Sequence, residues 1–136
     1  MRLKDLSITF HTDKIKECVA FYSKYFQAKV TFDADWYVVV RLESDDNIIP
    51  IDLSFQGHAD GMDRTNFKGG VTLNLMVDNV DACYEQLKET DVSFVEEITD
   101  HEWGDRAFSI YDPIGNLVYV YSERPLHDKY KEAIKE

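Results

Sequence analysis

Positive charge is what this sequence is short of. Lysine and arginine together number 15 against 26 aspartates and glutamates, a formal net charge of −11 at pH 7. A nucleic-acid binder must neutralise phosphates with basic side chains, so this balance argues against DNA or RNA as a partner. An acidic field favours cationic partners instead. Cysteine is scarce too. The two present, Cys18 and Cys83, fall inside apolar helical patterns, which predicts buried thiols in a reducing compartment rather than a disulfide. The opening MRLKDLSITF lacks the apolar core of a signal peptide, and no run approaches the roughly 18 apolar residues of a membrane span. The expectation is a cytoplasmic protein without a membrane partner.

What is present is a chain of 136 residues, 44% hydrophobic and 13% aromatic, long enough to bury a core as a single domain. Residues 103–123, WGDRAFSIYDPIGNLVYVYSE, read as a strand, a tight turn and a second strand. Asp112, Pro113 and Gly115 suit the first, second and fourth positions of a type I turn. A four-residue loop over 112–115 predicts that Tyr111 pairs with Asn116, which sets Tyr119 beside Phe108, Tyr121 beside Arg106 and Leu117 beside Ile110.

Upstream, residues 6–11 alternate as a strand. Thr12 or Asp13 then caps a helix whose apolar positions, Ile15, Cys18, Val19, Tyr22, Tyr25 and Phe26, fall on one face. Strands are expected at 29–32, 36–42 and 49–55, with a polar turn at 44–47. Residues 56–70, QGHADGMDRTNFKGG, carry four glycines and no periodicity, and mark a linker or loop. The pattern then restarts: a strand at 71–77, a helix capped by Asp78 with Val80, Cys83, Tyr84 and Leu87 on one face, a strand at 92–98, and the hairpin. A charged helix is possible in the tail, 124–136.

A restarting pattern is a test for duplication. A shift of 65 lays Ser7 on Thr72, Asp13 on Asp78 and Cys18 on Cys83, and a shift of 67 lays Trp36 on Trp103 and Asp52 on Tyr119. The chain therefore reads as an α+β protein of two βαβββ units, 6–55 and 71–123, in one domain, with helices on the outer face of curved mixed sheets around a cup. Alternation gives each sheet a greasy face for its helix and an opposite face that is polar and aromatic. On the second face the candidates are Ser7, Thr9, His11, Tyr37, Arg41, Asp52 and Ser54 in one unit. In the other they are Thr72, Asn74, Trp103, Arg106, Phe108, Tyr119 and Tyr121. A face of this kind is either open to solvent or the lining of a ligand pocket.

The two-unit plan, the Phe21-Tyr22 pair late in the first helix, VDNVDACYEQL at the second and the WGxRxFxxxDPxGN pattern of 103–116 resemble the vicinal oxygen chelate superfamily. That superfamily includes glyoxalase I, bleomycin- and fosfomycin-resistance proteins and extradiol dioxygenases, and the resemblance spans about residues 6–123. In its metalloenzymes four ligands hold a divalent metal, and the resemblance carries them onto Ser7, Asp52, Thr72 and Tyr119. Only Asp52 among these is a good ligand for such a cation. The expectation is therefore no metal and no cofactor. The bleomycin-resistance proteins, which are acidic, lack those ligands and sequester a cationic drug in a dimer, are closest in style. They imply a homodimer that binds a small cationic or aromatic molecule.

Individual residues sharpen this. Asp52 either anchors a ligand or pairs with Arg41. Arg106 is a candidate anion holder, His11 a candidate general base, and Trp103 a stacking surface for a flat or cationic ligand. Adjacent strand residues face opposite ways, so His101 and Glu102 make a poor metal pair. His58, Asp60 and Asp63 are too irregular for a calcium loop. The alternative function is a metal-dependent lyase, isomerase or dioxygenase with a displaced ligand set, such as Asp52 with His11 or His101. No catalytic residue is assigned.

Overall fold

The structure, a computed structural model, describes residues 1–45, 51–57 and 66–135. The expectations for 46–50 and 58–65, including part of the 44–47 turn and the residues His58, Asp60 and Asp63, lie outside the described residues. The chain divides into two compact units, Met1–Lys68 and Gly69–Glu136. Each carries one four-stranded mixed sheet and one α-helix, so the chain is an α+β fold of two repeated units.

In the first unit β1 (Ile8–His11) leads into α1 (Ile15–Phe26), followed by β2 (Lys29–Asp33), β3 (Tyr37–Leu42) and β4 (Ile51–Gln56) in the sheet order β1-β4-β3-β2. Strand β1 runs parallel to β4, and the other pairs are antiparallel. The apolar stripe of α1 is driven onto the face that presents Phe10, Val38, Val40, Leu53 and Phe55, all buried. Tyr22 and Phe55 stack there with ring centroids 5.8 Å apart. Each such side chain taken fully out of water contributes roughly 1.5–3 kcal/mol.

The second unit repeats the plan with β5 (Thr72–Met76), α2 (Val80–Lys88), β6 (Phe94–His101), β7 (Asp105–Tyr111) and β8 (Leu117–Glu123), in the order β5-β8-β7-β6. Its core gathers Tyr84, Leu87, Phe108, Ile110, Val118 and Val120. The tail forms a short 3-10 helix, Asp128–Ala133.

Neither helix is capped as expected. The N-cap of α1 is Lys14, whose N–H donates to Thr12 Oγ1 at 3.0 Å. That of α2 is Asn79, which accepts from Ala82 N at 3.0 Å, while Val80 N donates to Ser122 Oγ. Asn, like Asp, reaches the free N–H groups of a first turn, so the cap moves by one residue without loss of chemistry.

The hairpin turn lies where expected, but the pairing is one residue out. Gly115 N donates to Asp112 O at 3.2 Å, as a type I turn requires, and Asp112 N donates to Asn116 O at 2.9 Å. Gly115 has φ 85°, so it forms a left-handed bulge that adds a residue to the return strand. Tyr111 therefore pairs with Leu117, Ser109 with Tyr119 and Ala107 with Tyr121. Phe108 and Arg106 fall on the opposite face from Tyr119 and Tyr121.

The ladders also correct the internal alignment. Ile8 pairs with Leu53 and Leu73 with Val118, so one shift of 65 relates the first and last strands of both units. Ser54, not Asp52, is thereby the counterpart of Tyr119. Val40 and Ile110, opposite Leu53 and Val118, are related by a shift of 70. Three of the five extra residues arise because β6 has 8 residues where β2 has 5, and two because β7 begins at Asp105, two residues before the counterpart of Tyr37. Trp36 directly precedes β3, whereas Trp103 sits inside the β6–β7 turn.

Candidate functional site

On the first sheet, the face turned away from α1 carries two rows of expected site residues. Thr9 and Ser54 are ladder partners with hydroxyl oxygens 2.7 Å apart. Ser54 Oγ donates to Ile8 O at 3.0 Å, so Thr9 supplies the proton between the two. Arg41 and Asp52 are also ladder partners. They form a two-pronged ion pair, Nε to Oδ1 at 2.7 Å and Nη2 to Oδ2 at 2.9 Å. Hydrogen bonding from Arg41 holds the Asp52 carboxyl below its usual range. His11 and Tyr37 both lie opposite Gln56 on this face. Ser7 is exposed, just before β1.

On the second sheet, Thr72, Asn74, Tyr119 and Tyr121 share the face away from α2, with Asn74 opposite Tyr119. Arg106 and Phe108 do not. Phe108 is fully buried against Tyr84, with centroids 5.5 Å apart. The Arg106 guanidinium bridges Asp81 at the start of α2 (2.8 Å) and Asp100 on β6 (2.9 Å). These hydrogen bonds hold both carboxyls below their ordinary range. Both residues were expected on the ligand face, and the bulge at Gly115 is the reason they are not.

The densest polar arrangement surrounds Asp105. The three-residue turn 102–104 closes with Gly104 N donating to His101 O at 3.2 Å, and Gly104 takes φ 105°. The turn sets His101 directly opposite Asp105. His101 Nδ1 donates to Asp105 Oδ1 at 2.7 Å; the carboxylate accepts only, so this nitrogen carries the proton. Asp105 Oδ2 accepts from the Tyr119 hydroxyl at 2.8 Å and from Trp103 Nε1 at 3.1 Å. His101 Nε2 faces Glu96 Oε1 at 2.8 Å. That oxygen is buried, and among the described residues it has no aligned hydrogen bond. The indole of Trp103 lies flat on the His101 ring, centroids 4.2 Å apart and planes 10° apart, and stays 54% exposed. Tyr119 and Tyr121 continue the aromatic surface, with centroids 6.0 Å apart. Burial, and secondarily the neighbouring Asp105, push the Tyr119 phenol up to about 12.

The chain's tail braces this turn. Arg124 N donates to Gly104 O at 2.8 Å, His127 N donates to Glu102 O at 3.0 Å, and Lys129 pairs with Glu102.

Asp105 and Glu96 were not among the expected site residues, and His101 was expected only as a metal ligand of the alternative function. The signal for His101 and Asp105 is His-x-x-x-Asp with Gly at the fourth position, which a tight hairpin brings face to face. Taking His101 and Glu102 as neighbours on one strand obscured it.

The residues at the positions implied for a metal do not fit one. Ser7 and Thr72 offer neutral hydroxyls, the Tyr119 phenol is held protonated and engaged with Asp105, and Asp52 is bound by Arg41. Among the described residues no three His, Cys, Asp or Glu side chains are grouped to hold a metal ion. No helix among them is long and apolar enough to cross a membrane.

The model of the Glyoxalase/Bleomycin resistance protein/Dioxygenase superfamily matches residues 6–120. The chain belongs to this superfamily. Its fold is shared by solved glyoxalase/bleomycin-resistance/dioxygenase superfamily structures at low sequence identity. A glyoxalase/bleomycin resistance protein/dioxygenase from Nocardioides is 13% identical with TM-score 0.72, over 91% of this chain and 85% of that one. A lactoylglutathione lyase from Agrobacterium tumefaciens is 16% identical with TM-score 0.65, over 90% and 96%. TioX from Micromonospora sp. ML1 is 13% identical with TM-score 0.64, over 88% and 98%. No curated protein matches the chain. In this chain the face away from α2 carries an Asp105-centred hydrogen-bond hub beneath a half-exposed indole.

Proposed function

We propose that this superfamily member is a binding protein that takes up a small cationic aromatic molecule without a metal, on the face formed by Trp103, Tyr119 and Tyr121. The observation that carries the reading is the Trp103 indole. One of its faces is backed by His101 and its Nε1 is tied to Asp105, so the ring is fixed in orientation while half of it remains exposed. A ring fixed in advance gives stacking and cation–π attraction at little ordering cost. The Asp105 carboxylate lies beside it, Glu96 lies against the His101 ring that backs it, and the net charge of −11 draws cations toward the whole molecule.

The test is a panel of cationic aromatic compounds, bleomycin among them, followed by melting temperature and by quenching of tryptophan emission. Binders are expected to raise the melting temperature and to quench in the native protein, and to lose at least about ten-fold in affinity in Trp103→Ala, the roughly 1–2 kcal/mol of a lost stacking partner. A panel without any shift removes this reading. Near one equivalent of transition metal in undialysed protein would replace it with the lyase or dioxygenase alternative, which needs Asp52 free of Arg41.

A further inference from the structure

We propose that Glu96 holds the positive charge of the ligand, and that this charge is an ammonium, amidinium or guanidinium bearing N–H groups rather than a quaternary nitrogen. This rests on the reading of Trp103, Tyr119 and Tyr121 as a stacking face for a cationic aromatic molecule, and it fixes the chemistry of the cation. Ladder pairing sets Tyr119, Ser109 and Glu96 side by side on the face away from α2. From there the Glu96 side chain extends along the face, past the pair Thr99–Ala107, to reach the His101 ring that backs the indole.

Two carboxylates touch that ring, and they differ in spare capacity. A carboxylate offers about four lone-pair sites. Asp105 has three of them taken, by His101 Nδ1 at 2.7 Å, the Tyr119 hydroxyl at 2.8 Å and Trp103 Nε1 at 3.1 Å. Glu96 Oε1 is buried, and although His101 Nε2 lies 2.8 Å away, the oxygen has no aligned hydrogen bond among the described residues. It sits off the direction in which that nitrogen would donate, so a proton there does not complete it. An acceptor buried without a donor is costly, and more so on a charged group. The Glu96 side chain as a whole is 44% exposed, so a donor can arrive from solvent. Ser109, its ladder partner, is buried and adds a hydroxyl on the same face, able to accept a second N–H.

A quaternary nitrogen carries the charge without a hydrogen to give, and would leave Oε1 as it is. The Trp103 ring attracts both kinds of cation through its exposed face. Discrimination between them therefore belongs to Glu96.

Isothermal titration calorimetry of the full chain tests this with two probes of the same ring and the same charge, naphthylmethylamine and its trimethylated ammonium analogue. The native protein is expected to bind the primary ammonium about ten-fold or more tightly than the quaternary one. Glu96→Gln keeps the size of a half-exposed side chain and removes its charge, and is expected to bring the two probes within about two-fold of each other. Trp103→Ala is expected to weaken both probes alike and to keep the preference. Equal affinities in the native protein, or a preference that survives Glu96→Gln, would overturn the proposal and leave the stacking face standing. A preference that depends on Glu96 in a protein whose affinities ignore Trp103→Ala would support the proposal and remove the stacking face. Failure of both probes to bind at millimolar concentration would overturn the two together.

Discussion

Ionising Tyr119 creates a phenolate 2.8 Å from the Asp105 carboxylate, in a partly buried place. The protonated form is favoured in the folded state, with the phenol raised from 10.0 to about 12. A raised value has a defined sign: the stability it represents is complete below pH 10.0 and is lost as the pH climbs toward about 12. The informative quantity is the difference between the native protein and a variant that lacks the phenol. Urea midpoints of native protein and Tyr119→Phe are expected to converge as pH rises from about 9 to 12. Parallel curves would show that the phenol is no harder to ionise folded than unfolded. At this scale the sequence was only partly informative. Tyr119 was legible as an aromatic on the face away from α2 and Trp103 as an aromatic, but Asp105 was not legible, because a hub is defined by three donors converging from 101, 103 and 119. Convergence of that kind is a property of the turn, not of any one residue type.

The elements themselves were largely legible, since periods of two and 3.6 separate the strands and helices and the restart at residue 71 exposes the duplication. Register was the weak link. Every turn residue from Asp112 to Gly115 was identified, yet Gly115 was counted as an ordinary fourth turn residue rather than a bulge. That one residue moved Phe108 and Arg106 to the wrong face, as a slip by one always does. The same geometry makes a prediction. Gly115 sits at φ 85°, where an alanine Cβ is strained. Gly115→Ala is expected to destabilise the protein by about 1–2 kcal/mol in denaturant unfolding. A neutral result would mean that the hairpin reaches its register without the bulge. Asp112 holds the same turn from inside, accepting from Ile114 N at 3.0 Å and from Asn116 N at 2.8 Å.

For the molecule as a whole, a net charge of −11 on 136 residues is an excess whose self-repulsion acts against the folded state. Added salt screens it: the Debye length falls from about 30 Å at 0.01 M to about 10 Å at 0.1 M. The melting temperature is therefore expected to rise by a few degrees over that range. A fall would mean that the ion pairs of Arg41 and Arg106 outweigh the excess. A different consequence follows from the tail. Arg124 and His127 are hydrogen-bonded to the backbone of the turn that carries Trp103, and Lys129 grips Glu102 beside it. The carboxyl end of the chain and the indole are thus mechanically in series. An affinity tag or reporter fused at that end would load the binding surface itself, and the amino end, where residues 1–7 are exposed and lie outside the sheet, is the place to attach one.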